Sequence, residues 1–202
     1  MVTKRGMRRL ALIPLLLFIT GISARADVAS SRSGSLETKI NGVLGGRCSS
    51  GLCLISGGSD IGRNRFHRLS EFDTRGAIEG VSVDSDGVRN LVLGVTALDG
   101  SFIDKSVRLS SPAHLFVLSP GGIQLTPGAS FQQIPQLTLS TAKQLRFAGG
   151  VFDVLSTPIG VIPALGGDPL PGALGLLPGE LSENRPLIRM EGVSIDVDES
   201  LW

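Results

Sequence analysis

The amino-acid sequence predicts an all-β fold, and three observations support this. The 202 residues include 27 glycines and 11 prolines, which recur every few residues and leave no long stretch for a helix. The apolar residues are mostly leucine, valine and isoleucine, in short runs of strand length. Within many of these runs apolar and polar residues alternate, which is typical of strands with one buried face. The length suits one domain with a core of its own.

The amino terminus has the three parts of a secretory signal peptide. Basic residues at positions 4, 5, 8 and 9 precede an apolar run at 10–20, and Ala24-Arg25-Ala26 follows. A signal peptidase recognises small residues at the first and third of these last positions. A spanning helix needs about 20 apolar residues, roughly twice the length of this run. We therefore predict a cleaved signal peptide at 1–26 and an exported domain at 27–202, with no integral membrane segment after cleavage.

Removal of this segment changes the charge of the chain. It carries five of the 19 lysines and arginines and none of the 18 acidic residues, so the net charge changes from +1 to −4. No cluster of basic residues remains in the mature part. Because nucleic-acid binding needs a basic surface, we expect no nucleic acid among the partners.

The two cysteines lie close together, in Cys48-Ser-Ser-Gly-Leu-Cys53. In an oxidising compartment we expect a disulfide between them, which for so short a loop adds roughly 2 kcal/mol of stability. Two free thiols are the alternative. A metal site needs further ligands, and the only histidines, His67 and His114, are distant in the sequence, so we expect no metal.

Short candidate strands follow one another along the mature chain. After a small, polar leader at 27–35, the first is predicted at 36–43, and the next follows the cysteine loop at 52–56. Phe66, Leu69 and Phe72 are expected to form one compact apolar group. Further strands are predicted at 81–83, 91–96, 102–103, 107–109, 114–119, 123–125, 137–139, 145–147, 152–154, 187–190 and 193–197.

Two connections in the second half of the chain are distinctive. Ser119-Pro120-Gly121-Gly122 predicts a type II turn, because Pro120 fixes φ at the second position and Gly121 can take positive φ at the third. Residues 157–186 are rich in proline, glycine and leucine and predict an apolar insertion packed over an edge of the core.

The short connections leave two architectures open. Connections of a few residues normally join antiparallel strands, so a sandwich or a barrel is one interpretation. A β-helix is the other, because its parallel strands stack around a shared core with short corners.

Five segments occur in a characteristic order between residues 36 and 161. Residues 64–72 are Asn-Arg-Phe-His-Arg-Leu-Ser-Glu-Phe, 90–96 are Asn-Leu-Val-Leu-Gly-Val-Thr, and 101–105 are Ser-Phe-Ile-Asp-Lys. Residues 114–129 are His-Leu-Phe-Val-Leu-Ser-Pro-Gly-Gly-Ile-Gln-Leu-Thr-Pro-Gly-Ala, and Ser-Thr-Ala follows at 140–142. Together they resemble the amino-terminal two-partner secretion domain of filamentous haemagglutinin-like exoproteins, in the form common in cyanobacteria.

This resemblance implies a right-handed parallel β-helix with an amino-terminal cap. It also implies secretion through an outer-membrane transporter barrel, whose periplasmic domains recognise the β-helix. The family has Asn-Pro-Asn-Gly where this chain has Ser-Pro-Gly-Gly at 119–122, so we expect the turn to form without contacts from asparagine amides. The resemblance assigns transporter recognition to Asn64, Phe66, His67, Phe72, Ser119, Pro120, Gly121 and Gly122.

The sequence therefore predicts a secreted or outer cell-surface domain that reaches its place through the periplasm. We expect the amino-terminal part of an adhesin or haemagglutinin-like protein, truncated or complete, with no cofactor and no enzymatic activity. The alternatives are a β-helix enzyme that acts on polysaccharide and a free-standing module that binds host or neighbour-cell surface glycans.

Two groups of polar residues have a chemical interpretation beside the structural one. His67, Ser70 and Glu71 are residue types of a catalytic triad, but neighbours in an extended segment do not form one, and we expect His67 in the cap. Asp84-Ser85-Asp86-Gly87 resembles part of a calcium loop but lacks its distal ligands, so we expect a solvated turn. The aromatic side chains expected in the core are Phe66, Phe72, Phe116 and Phe147.

Overall fold

The computed structural model describes residues 26–147, 150–156, 171–175, 187–195 and 200–201. Strands and their connections account for all of the described residues, so the predicted all-β class is confirmed. No helix within these ranges is long and apolar enough to span a membrane. The predicted signal peptide, apart from Ala26, lies outside the described residues, as does the predicted insertion at 157–186 apart from 171–175.

The described part of the chain contains 21 strands. In chain order they are β1 (Val28–Ala29), β2 (Thr38–Ile40), β3 (Val43–Leu44), β4 (Arg47–Cys48), β5 (Gly51–Gly57), β6 (Ser59–Ile61), β7 (Asn64–Leu69), β8 (Glu71–Asp73), β9 (Ile78–Val83), β10 (Asn90–Val95), β11 (Ser101–Ile103), β12 (Ser106–Leu109), β13 (His114–Leu118), β14 (Ile123–Leu125), β15 (Ser130–Gln132), β16 (Gln136–Ser140), β17 (Gln144–Phe147), β18 (Gly150–Asp153), β19 (Pro171–Gly175), β20 (Ile188–Met190) and β21 (Ser200–Leu201).

Three six-stranded sheets enclose the core. Sheet A has the order β20-β14-β11-β8-β1-β4, sheet B has β15-β12-β9-β5-β2-β3, and sheet C has β21-β16-β13-β10-β7-β6. Between β7 and β16 the chain enters sheets C, A and B in rotation, and from β9 onward each strand of these three sheets pairs in parallel with its counterpart in the preceding turn. The chain is thus a parallel β-helix of about three turns, and not a sandwich or a barrel.

The parallel register builds the core in rows, because it places equivalent residues of successive turns side by side. In sheet C, Leu91 lies beside Leu115, and Leu115 lies beside Leu137. In sheet B, Val81 lies beside Val107. All five side chains are buried in the same cluster, so the alternating apolar residues of the sequence become continuous stripes inside the coil.

Antiparallel strands close the amino-terminal end as the predicted cap. β1 lies between β4 and β8 in sheet A, β2 and β3 extend sheet B beyond β5, and β6 pairs with β7 in sheet C. They bind backbone groups that the first turn of the helix would otherwise expose at its edges. Cys48 of β4 and Cys53 of β5 form a disulfide with Cα atoms 5.7 Å apart, as predicted, and it ties sheet A to sheet B within the cap.

The cap differs from the single strand predicted at 36–43. Leu36 and Glu37 have φ of 58° and 57°, so the backbone is left-handed there and β2 begins only at Thr38. Asn41 and Gly42, with φ of 50° and 79°, form a two-residue turn between β2 and β3. Asn-Gly is the preferred sequence for such a turn, and the prediction of one continuous strand is wrong.

A second apolar cluster lies outside the coil, on the outer face of sheet C. There β17 and β18, which form a separate antiparallel sheet with β19, pack over β7, β10 and β13. The ring of Phe66 lies 5.6 Å from that of Phe147 and 5.3 Å from that of Phe152. Leu69 and Phe72 are buried in the main core instead, so the predicted compact group with Phe66 is wrong. Positions 66 and 69 are an odd number of residues apart, and they face opposite sides of β7.

Gly94 of β10 allows the outer sheet to pack closely on sheet C. A Cβ atom there would lie 2.8 Å from Cζ of Phe152.

We predict that Gly94→Ala displaces the Phe152 ring and lowers the free energy of unfolding by about 1–3 kcal/mol, measured in urea. The matched control is Gly80→Ala in β9, where a Cβ would have no neighbour closer than 3.4 Å. Equal stability of the two variants would contradict this account of the packing.

Candidate recognition surface

Two turns stack on each other at the corner between sheets C and A. In the turn from Ala97 to Gly100, the amide of Gly100 donates to the carbonyl of Ala97 over 3.1 Å. In the turn from Ser119 to Gly122, the amide of Gly122 donates to the carbonyl of Ser119 over 2.9 Å. The amide of Ser101 then donates to the carbonyl of Gly122 over 2.9 Å. Successive coils of the β-helix therefore stay hydrogen-bonded around this corner.

The stacked turns leave no space for a side chain between them. A Cβ atom on Gly121 would lie 2.5 Å from both the amide nitrogen of Gly100 and the carbonyl oxygen of Leu98. A Cβ atom on Gly100, where φ is 82°, would lie 2.8 Å from the carbonyl carbon of Gly121. Both glycines are therefore required by the close approach of the two backbones.

The predicted turn at 119–122 forms, but not as type II. The positive φ, 113°, belongs to Gly122 and not to Gly121. A hydrogen bond from the fourth residue to the first, with glycine in the fourth position, fits a type I turn. Ser119 is buried beneath it, where its hydroxyl accepts from the hydroxyl of Ser101 over 2.9 Å and its amide donates to the carbonyl of Ser140 over 2.9 Å.

Asn64, predicted to contact a transporter, is buried and joins the first two turns of the helix. Its side-chain oxygen accepts from the side-chain amide of Asn90 over 2.7 Å, and its own amide donates to the carbonyl of Ile61 over 3.2 Å. The two asparagines are 26 residues apart in sequence and adjacent in the register of β7 and β10. This ladder keeps two buried amides hydrogen-bonded at the corner where sheet C begins.

His67 is buried between the cap and the first turn. The hydroxyl of Thr38 donates to the carbonyl of Ser35 over 2.6 Å, so its oxygen is an acceptor for Nδ1 of His67, 3.2 Å away. This places the proton of a neutral ring on Nδ1, and the buried Nε2 has no hydrogen-bond partner within the described structure. Burial, with a contribution from the nearby charge of Arg65, lowers the pKa of His67 to about 4.

The residues with a catalytic interpretation are not brought together. His67 faces the interior, whereas Glu71 lies on the outside of sheet A and accepts hydrogen bonds from Arg47 over 2.8 and 2.9 Å. In the possible calcium loop Asp86 and Gly87 are exposed, but Ser85 is buried. Asp84 pairs with Arg65, and Asp86 accepts from the hydroxyls of Ser110 and Ser111 in the next coil of the helix. Within the described ranges, no three histidines, cysteines or carboxylates are grouped as metal ligands are.

Two adjoining depressions on the outer face of sheet A, beside the stacked turns, share Asp99 and Phe102 and together form a shallow groove. Its floor is Phe102 of β11, whose ring centre lies 3.9 Å from the guanidinium carbon of Arg75. Arg75 is held by Asp73, with a shortest nitrogen–oxygen distance of 2.6 Å. Leu98, 90% exposed at the tip of its turn, and Leu187, 72% exposed, form apolar walls. The groove is open to solvent and suits a surface contact better than an enclosed ligand.

Three of the residues to which the resemblance assigned recognition line the groove: Phe72, Gly121 and Gly122. Residues 70–73 line one end, and the turn residues Gly121 and Gly122 line the other. Of the eight assigned residues, Pro120 and Gly121 are partly exposed, and the other six are buried: Asn64, Phe66, His67, Phe72, Ser119 and Gly122. The predicted core positions of Phe66, Phe72, Phe116 and Phe147 are thus confirmed.

The exposed part of the groove was not predicted. Leu98 and Phe102 lie in the second turn of the helix and Arg75 in the first, and the parallel register of β8 and β11 brings Arg75 beside them. One signal was present in the sequence: Leu98 is a large apolar residue inside a turn between two predicted strands, where polar residues are usual.

Comparisons with known proteins identify no relative. No protein-family model matches the chain, and neither a curated protein nor a solved structure does.

The buried histidine makes the stability of the fold depend on pH. The unfolded chain binds a proton at His67 near pH 6.5, and the folded chain binds it only near pH 4. We therefore predict that the free energy of unfolding falls by about 3 kcal/mol as the pH decreases from 6.5 to 4, from this residue alone. Unfolding in urea should show a shallower pH dependence for His67→Gln, and identical slopes for the two proteins would contradict the assignment.

The stacked turns predict a large loss of stability for one substitution and a small loss for its neighbour. Gly121→Asn places the residue of the resembled family in the turn, but its Cβ collides with the backbone of the turn before it. We expect a loss of about 1–3 kcal/mol or more in the free energy of unfolding. Pro120→Ala keeps every contact between the turns and should cost less than about 1 kcal/mol, through the unfolded state alone. A neutral Gly121→Asn would show that the two turns are not packed this closely.

Proposed function

We propose that this chain is a secreted, non-enzymatic exoprotein domain of the two-partner secretion type. An outer-membrane transporter barrel recognises it through periplasmic domains, and the β-helix forms the amino-terminal part of an adhesin or haemagglutinin-like protein. The transporter recognises the corner between sheets C and A, together with its groove. The domain works at the outer cell surface or beyond it.

One observation carries this proposal. The segment around Phe72 and the turn at 119–122 hold most of the sequence resemblance, are far apart in the chain, and line two adjoining depressions that meet at Asp99 and Phe102. Buried residues of these segments hold the register, and the exposed residues beside them form the surface. A protein partner is the natural ligand of such a site, because exposed apolar residues with a polar rim are typical of protein contacts.

The chemistry of the candidate catalytic residues favours recognition over catalysis. His67 has a lowered pKa, a fixed tautomer and no access to solvent, so it cannot exchange protons with a substrate. Asp73, Asp86 and Glu71 are each held by arginine or serine donors on the surface. A polysaccharide-cleaving enzyme needs two carboxylates that face a substrate. These three carboxylates are instead engaged in pairs that support the corners and the cap.

Secretion measured with and without the transporter tests the proposal. The full chain, signal segment included, is expressed with a candidate outer-membrane barrel that has periplasmic domains, and the medium and periplasm are compared. We expect the protein in the medium only when the barrel is present, and in the periplasm when it is absent. Release that does not depend on any such barrel contradicts the two-partner assignment and favours a free-standing glycan-binding module.

A further inference from the structure

We propose that the groove on sheet A binds an extended peptide segment with one basic side chain between apolar ones. This rests on the proposed function, and it identifies the ligand as a segment of the transporter's periplasmic domains. The inference concerns the exposed residues of the groove and not the buried residues of the resemblance.

The size of the groove fits a short extended peptide. Asp73, Phe102, Gln124 and Arg189 occupy successive outward positions on β8, β11, β14 and β20, because each pairs with the next in the parallel register. Neighbouring strands lie about 4.8 Å apart, so the row is roughly 14 Å long, the length of about four residues of extended chain. A peptide along this row crosses the strands and contacts them through side chains.

The walls of the groove provide apolar contacts. Leu98, in the turn before β11, and Leu187, directly before β20, border the row, and each faces solvent with most of its surface. Exposed leucines beside an aromatic floor lose unfavourable contact with water when an apolar partner covers them. Alternate apolar side chains of an extended peptide point to the same side, so one peptide can contact both leucines.

The charge at the centre of the groove selects a basic residue. Asp99 lies where the two halves of the groove meet, and its carboxylate makes no hydrogen bond or ion pair within the described ranges. The other charges along the groove are paired, Glu71 with Arg47, Asp73 with Arg75, and Arg189 with Glu191. A lysine or arginine of the ligand therefore meets one unpaired acidic partner flanked by apolar surface, an arrangement that favours it over a neutral or acidic residue.

The floor of the groove is less suited to a sugar. Sugar rings stack on open aromatic faces, and the guanidinium of Arg75 lies over the ring of Phe102. Nε and one terminal nitrogen, Nη2, of Arg75 are engaged by Asp73, which leaves few free groups for sugar hydroxyls. A peptide that contacts the leucines and Asp99 needs neither the ring face nor these donors.

Binding of two probes to the folded mature chain tests the inference. The first probe is a fluorescent pentapeptide, Leu-Val-Lys-Val-Leu, compared with its Glu counterpart by anisotropy at low salt. The second is the purified periplasmic region of the candidate transporter. We expect the Lys peptide to bind about tenfold more tightly than the Glu peptide, and Asp99→Asn to remove this preference. We expect Leu98→Ser to weaken both the Lys peptide and the transporter region about tenfold.

The controls lie on the outer face of sheet B. Leu52→Ser and Glu79→Gln remove an exposed leucine and an exposed carboxylate far from the groove, and both should leave binding unchanged. Equal affinity for the two peptides, or equal losses from the sheet B variants, overturns the inference. So does competition by a neutral oligosaccharide that Leu98→Ser abolishes, because the ligand is then a glycan.

The two proposals fail in different ways. If the transporter region binds but Leu98→Ser and Asp99→Asn do not weaken it, the groove is not the docking site and the secretion route stands. If the peptides bind as expected and secretion needs no barrel, the groove is a peptide site and the two-partner assignment is wrong.

Discussion

Each turn of this β-helix must lie within hydrogen-bonding distance of the turn before it, along the sheets and around the corners. Different corners meet this constraint differently. At the corner after β8 the buried hydroxyl of Thr74 accepts from the amides of Asp104 and Lys105 over 2.8 and 3.1 Å. At the corner between sheets C and A the backbones meet directly, and only Gly100 and Gly121 fit between them.

The same constraint separates residues that form the fold from residues that are available to a partner. Asn64, His67 and Ser119 use their polar atoms on neighbouring turns or on the cap, and so the sequence pattern around them is a pattern of folding. In the proposed function, their substitution affects recognition only through the shape of the surface. The side chains of Leu98 and Asp99 are accessible and do not hold neighbouring coils together. Substitutions there can change affinity for a partner without changing the fold.

The strands were predictable because alternation along a strand reports its buried face, as in 123–125 and 137–139. Alternation does not say what covers the opposite face. Phe66 was assigned to the wrong cluster because sheet C is buried on both sides near the hairpin of β17 and β18. The steric need for Gly121 and the set of residues that line the groove both depend on contacts between successive coils. They could not be predicted without the strand register. The turn at Asn41-Gly42 was predictable from local sequence and shows that a strong turn signal outweighs an apolar run.

The central claim is that the outer corner between sheets C and A, and not another face of the β-helix, meets the transporter. Site-specific photo-crosslinking during secretion tests it most directly, with a photoreactive amino acid at position 98 in one strain and at position 52 in another. Both are exposed leucines, Leu98 in the turn between sheets C and A and Leu52 on sheet B. The account predicts a crosslink to the periplasmic domains of the transporter from position 98 and none from position 52. Crosslinks of equal yield from both positions, or from position 52 alone, would contradict it.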